Sequence, residues 1–212
     1  MQRNIEKHLV QWKWKRGRLP LIVRGARQVG KTHSMKWLGE NHYARMAYFN
    51  FDERPDLRGI FAVGKDVDRI VKQLAIAAGV AIDEDTLLIL DEIQECPEAL
   101  NTLKYFAEKK PELSVICAGS LLGILLRSGH AFPVGKVEFL TMYPMTFREV
   151  LPHLDERASQ YLEQRTSLEE IPACFFQNLY DAFKTYLVTG GLPAVVKATS
   201  AHADVTTCDA VL

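Results

Sequence analysis

The chain has no net charge, because 26 lysines and arginines balance 26 aspartates and glutamates over 212 residues. No global field therefore draws it toward nucleic acid or an anionic membrane. It also lacks any apolar run near the roughly 18 residues of a membrane span, so no membrane partner is expected. The segment Gln2–Lys7 is polar, and no secretory leader is expected there. Cysteine is scarce: Cys96, Cys117, Cys174 and Cys208 show no metal-type spacing. Cys117 falls in an apolar run and reads as a small buried hydrophobe. A reducing, cytoplasmic setting fits these absences. Apolar residues are 48% and charged residues 25%, an ordinary globular mixture. The length allows one domain, or a domain with an appendage.

Residues Gly25-Ala26-Arg27-Gln28-Val29-Gly30-Lys31-Thr32 fit the phosphate-loop pattern G-x-x-x-x-G-K-[ST] at each specified position. The run Leu19–Arg24 before it reads as a buried strand, and Ser34–Glu40 after it as the start of a helix. Gly25 and Gly30 can take positive φ and let the backbone approach phosphates. Successive N–H groups then form an anion nest, aided by the helix N-terminus. Lys31 is suited to the β- and γ-phosphates, and the Thr32 hydroxyl to Mg²⁺. The implied ligand is the polyphosphate of a nucleoside triphosphate. A chance glycine turn before a helix is the plain alternative.

Further on, Thr86-Leu87-Leu88-Ile89-Leu90 leads into Asp91-Glu92. An apolar run ending in two carboxylates is how a buried parallel strand looks when its carboxyl end opens into a site. Asp91 is the candidate to hold Mg²⁺ through a water, and Glu92 the candidate general base. Alone, a core strand followed by an acidic turn would be the simpler account. The loop upstream favours the catalytic one.

Two absences refine the class. No Asn-Lys-x-Asp sequence occurs to read guanine, and a carboxylate stands where small GTPases use glutamine to position water. ATP and hydrolysis are therefore the expectation. The next strand, Leu113–Ala118, ends at Gly119-Ser120. In ATPases with an extra strand between the loop strand and the acidic strand, Ser120 would hold the sensor position. It would equally serve as the N-cap of a helix Leu121–Arg127, and both readings stand.

Ile5, Leu9 and Trp12 give residues 2–16 one apolar helical face. Arg45–Phe51 reads as a second strand. Val67, Ile70, Val71, Leu74 and Ala78 mark a helix with Asp66 as cap and Gly79 as stop. Pro97 opens a helix to about Lys109, and Lys136–Met142 reads as a fifth strand. The alternation predicts an α/β fold with a parallel sheet flanked by helices and ligands at the strands' carboxyl ends. After Tyr143-Pro144 only helices are expected: Phe147–Leu151, Glu156–Gln164 and Ala173–Thr189. The last carries Phe176, Leu179, Tyr180, Phe183, Tyr186 and Leu187 as a broad apolar stripe, expected to be core. The boundaries expected are a core over 1–150 and a partial helical lid over 151–212.

Trp12-Lys13-Trp14-Lys15-Arg16-Gly17-Arg18 mixes bases with aromatics. Such a segment can grip a nucleic-acid strand. A helix end with Trp12 packed inward and solvated cations is the favoured account, since no matching basic stripe follows.

Taken together, the motifs resemble a family of prokaryotic AAA-type ATPases in which this core precedes a C-terminal domain of unknown function. The matching stretches are Arg24–Thr32, Leu90-Asp91-Glu92-Ile93-Gln94-Glu95-Cys96-Pro97, Ala118–Gly123, Phe132–Leu140 and Tyr143–Phe147. The resemblance runs from about Arg3 to Val196. It implies a P-loop NTPase core of the AAA/ASCE type that binds Mg·ATP, with a lid. Gly190-Gly191-Leu192-Pro193 is similar to a Gly-x-Pro element beside the adenine in signal-transduction ATPases, which would put Gly191 and Pro193 at the base. A helix stop followed by a turn explains them nearly as well. Arg127 falls where related ATPases keep an arginine finger acting on a neighbouring subunit, which would require a homo-oligomer; a solvated surface arginine is the commoner case. An unidentified protein partner is also implied. The family continues well past this point, so a truncated form without its effector domain is expected. Thr199–Leu212 is weakly patterned.

Overall fold

The computed structural model describes residues 3–119, 135–166 and 170–200. Chain contacts divide it into two units. One comprises Ile5–Arg27 and Lys31–Met142; the other comprises Met1–Asn4, Gln28–Gly30 and Tyr143–Leu212.

The first unit is built on a parallel sheet. Its strands are β1 (Leu21–Arg24), β2 (Arg45–Asn50), β3 (Thr86–Asp91), β4 (Ser114–Gly119) and β5 (Glu138–Thr141). Their order is β2-β3-β4-β1-β5, so β4 lies between the loop strand and the acidic strand. That is the arrangement on which the sensor reading of Ser120 depends. The residue itself, with the expected helix Leu121–Arg127, lies outside the described residues. The register pairs Asn50 with Asp91 and Arg24 with Gly119, which lines up the strands' carboxyl ends.

Central strands β3 and β4 are buried along their whole length, as their continuous apolar runs require. Edge strand β5 is only half-buried. Leu88 and Leu90 join a core cluster with Ile70, Leu74, Leu103 and Phe106. By strand alternation Leu87 and Ile89 turn to the opposite face, where α2 (Lys31–His42) packs on β2, β3 and β4. The flanking helices are α1 (Asn4–Trp14), α3 (Arg58–Ala62), α4 (Val67–Ala78) and α5 (Pro97–Lys109). Helix α4 begins and ends as expected: the Asp66 carboxylate accepts from the Asp68 amide, and Gly79 is left-handed at φ 69°. Helix α3 was not expected from the sequence; Phe61 anchors it in the core, but the segment is too short to show a period.

Trp12, Lys13 and Arg18 of the basic-aromatic segment make internal contacts, whereas Trp14 is 74% exposed. Trp12 is buried and its indole N–H donates to Leu19 O at 2.9 Å. Lys13 donates to His42 O and lies 4.3 Å from the Tyr43 ring centroid. Arg18 donates to Glu112 O and the Ser114 hydroxyl.

In the second unit, α6 (Phe147–Leu154), α7 (Glu156–Gln164), α8 (Ala173–Thr189) and α9 (Pro193–Ser200) pack on one another. Helix α6 runs past its expected end at Leu151 and contains Pro152. A full capping box between Thr146 and Glu149 secures its first turn, and Asp155 then caps α7. The stripe on α8 departs from expectation. Leu179 is buried, but Phe176, Tyr180, Phe183 and Leu187 are 40–65% exposed. Leu179 and Ala182 face the cluster with Leu151 and Ala158, and among the described residues Phe147 packs against Phe183 and Tyr186 while Phe176 and Leu187 stay exposed. No helix among the described residues is long and apolar enough to cross a membrane.

Candidate functional site

The loop between β1 and α2 owes its shape to two left-handed residues, Gln28 at φ 63° and Gly30 at φ 95°. Of the two motif glycines that can take positive φ, Gly30 does and Gly25 does not. A non-glycine in this region costs about 1–2 kcal/mol, a cost that turn geometry at a functional loop must offset.

Lys31 is almost wholly buried as the first residue of α2. Its ammonium donates to Gly25 O at 3.0 Å and Ala26 O at 2.7 Å, both carbonyls of the same loop. Burial lowers its pKa, and the carboxylates of Glu92 and Asp91 partly oppose that shift. A charge held this way gives up little by turning from two neutral carbonyls to an anion.

Thr32 follows on α2 and donates its hydroxyl to Asp91 Oδ2 at 2.6 Å. Asp91, at the end of β3, is buried and receives two more donors. The Tyr48 hydroxyl donates to the same Oδ2 at 3.1 Å, and the Glu92 amide to Oδ1 at 3.0 Å. Burial first, and then the Asp91 carboxylate, push the Tyr48 phenol far above its ordinary value, so it stays a donor. The ammonium of Lys36, one turn beyond Thr32, lies 3.8 Å from the Tyr48 ring centroid. Tyr48 carries no motif; its position on the strand beside the acidic one is the only sequence cue to it.

Glu92 is itself left-handed, at φ 47° and ψ 46°. Its amide donates to Asp91 Oδ1, and from Glu92 the chain enters a short 3-10 turn, Ile93–Glu95. The structure therefore brings together Lys31, Thr32, Asp91 and Glu92 at the carboxyl edge of the sheet.

The oxygens of Thr32 and Asp91 form a hard donor pair of the kind Mg²⁺ takes. A threonine hydroxyl that gives its proton to Asp91 keeps its lone pairs for a cation. Among the described residues no cluster of three or more His, Cys, Asp or Glu stands ready for a metal, and a phosphate-bound Mg²⁺ needs none. Cys117, fully buried in β4, has its thiol pushed up by desolvation and is inert.

Gly191 and Pro193 belong to the helical unit. Gly191 O accepts from the Met145 amide at 2.7 Å, and a Cβ on Gly191 would stand 2.0 Å from Met145 O. Pro193 is the first residue of α9, where its missing N–H costs nothing. Close backbone packing and a helix start fit the reading of a helix stop followed by a turn. Arg127 lies outside the described residues.

Residues 17–151 match the family profile described as an AAA domain. Among solved structures, the Walker-type ATPase PABY2304 of Pyrococcus abyssi superposes with a TM-score of 0.57 at 15% identity, covering 99% of this chain and 70% of that one. Caenorhabditis elegans PCH-2 gives 0.47 at 15% identity, covering 91% and 59%. AMPPCP-bound DnaA from Aquifex aeolicus gives 0.42 at 13%, covering 91% and 57%. No curated protein matches the chain. At 15% identity the likeness to the first structure extends to the fold alone.

Proposed function

The chain belongs to the AAA-domain family, and on that footing we propose that it binds Mg·ATP and hydrolyses it, as a switch or motor. The observation that carries this reading is the 2.6 Å hydrogen bond from Thr32 to Asp91, beside the buried Lys31. It couples the loop to the acidic strand through the two groups suited to Mg²⁺.

In this reading the loop amides and Lys31 hold the β- and γ-phosphates. Thr32 holds Mg²⁺ directly and Asp91 through a water. The ion, when bound, neutralises charge on the phosphates. Glu92 takes the proton of the attacking water. Ser120 as sensor and Arg127 as a finger toward a neighbouring copy complete the proposal. Steady-state ATP turnover of the wild type and of Glu92→Gln tests it. The expected result is turnover in the wild type and a fall of about 100-fold or more in the variant. Equal turnover in both would show that Glu92 is not the base.

A second reading is a nucleotide-binding interaction module with little turnover. The contacts of Lys31 with its own loop favour it, since the loop holds together unaided. Tight ATP binding without hydrolysis at any protein concentration would decide for it. Sizing with and without nucleotide would then show whether copies associate.

A further inference from the structure

Gln94 lies two residues beyond the proposed base and has no role in the scheme above. Its amide Nε2 donates to Glu92 Oε2 at 2.5 Å. Its Oε1 is shielded from solvent and meets no donor among the described residues. The orientation of the amide follows from chemistry, because the reverse one would set a carbonyl oxygen against a carboxylate.

The contact depends on the backbone. Glu92 is left-handed, so the chain doubles back into the turn Ile93–Glu95, and side chains two residues apart meet. Ile93 and Cys96, both fully buried, hold that turn in the core. The side chain of Gln94 is not needed for anchoring and is spent on Glu92.

We infer that Gln94 is a positioning residue for Glu92, and this rests on the reading of Glu92 as the base. During hydrolysis a water oxygen bonds to the γ-phosphorus while the bond to the β–γ bridging oxygen breaks. ADP leaves with the electron pair, and the water proton passes to Glu92. A carboxylate on a short turn samples several rotamers. The Gln94 amide occupies Oε2 and selects the one that leaves Oε1 for the proton.

Turnover of Gln94→Met and Gln94→Glu, each alone and combined with Glu92→Gln, tests the assignment in the full chain. Gln94→Met keeps the length and removes the donor. Its kcat is expected to fall about 10- to 100-fold, the effect of one hydrogen bond to a charged group, with KM for ATP changed less than about threefold. Gln94→Glu puts a like charge against Glu92 and is expected to fall at least as far. With Glu92→Gln already present, Gln94→Met is expected to cost nothing further. Wild-type kcat in Gln94→Met beside an inactive Glu92→Gln overturns the inference and leaves the base reading standing. So does an equal loss in both backgrounds, or a rise in KM alone. Full turnover in Glu92→Gln removes the base reading, and the inference with it.

Discussion

The Tyr48 hydroxyl lies 3.1 Å from Oδ2 of Asp91, on the very oxygen that also accepts the Thr32 hydroxyl. Two neutral donors thus converge on one buried carboxylate oxygen. Donors of this kind orient a carboxylate and set how it meets a cation. Tyr48→Phe removes one donor and keeps the ring against Lys36. The Mg²⁺ concentration for half-maximal turnover is expected to rise about tenfold, at the low end for an outer-sphere partner. A magnesium titration at saturating ATP checks this; an unchanged midpoint would count against any role for Tyr48 in orienting Asp91.

Gly191 and Met145 approach so closely that no side chain fits between them. The obstruction is backbone, which cannot swing aside as a flexible side chain would. Gly191→Ala is expected to destabilise the protein by about 3 kcal/mol, at the upper end for overpacking. Gly59→Ala is the control: nothing lies within 4 Å of its added Cβ, and it sits in α3, where alanine is favoured. Denaturant midpoints for the pair would report the difference. Equal midpoints would mean that the backbone at Met145 yields freely.

Arg3 and Glu149 are both nearly buried and form an ion pair at 3.2 Å. Arg3 also donates to Val29 O at 2.8 Å and Tyr143 O at 2.9 Å, and Glu149 accepts from the Asn4 and Thr146 amides. Burial pushes the Glu149 carboxyl up, but the hydrogen bonds and Arg3 outweigh it and leave the pKa below the ordinary value of 4.5. A carboxylate with a depressed folded pKa adds stability that is present above the unfolded value and lost as pH falls through the folded one. Glu149→Gln is expected to cost about 3 kcal/mol near neutral pH, since Arg3 keeps its charge without its partner. The gap to wild type should narrow as pH drops below 4.5. Unfolding curves across that range measure it, and a gap independent of pH would dissociate the loss from the carboxylate charge.

Several elements are legible in the residues because the chemistry that sets them is local. The Asp66 cap and Gly79 stop of α4 act within one turn of the helix they bound, so the residues that decide the ends stand beside them. The run Thr86–Leu90 announces a strand buried on both faces, and the pattern Gly25–Thr32 announces the turn from β1 into α2. Where legibility fails, the cause is also physical. The stripe of α8 has the period of a core helix, yet Phe176 and Leu187 remain exposed because coverage depends on neighbours, not on period. The two motif glycines permit positive φ and Gly30 adopts it, but so does Gln28, at a cost that only the folded loop can impose.

Residue types at short spacing were enough to mark the candidate site: Lys31 and Thr32 in the loop, Asp91 and Glu92 behind an apolar run. Short spacing is what a linear pattern can hold. That β4 separates β1 from β3, and that Tyr48 reaches Asp91 across neighbouring strands, became definite only in the folded chain. The same holds for the pairing of Arg3 with Glu149. Each joins residues far apart in the chain, and such pairings are selected by the packing of whole elements, which no local window contains.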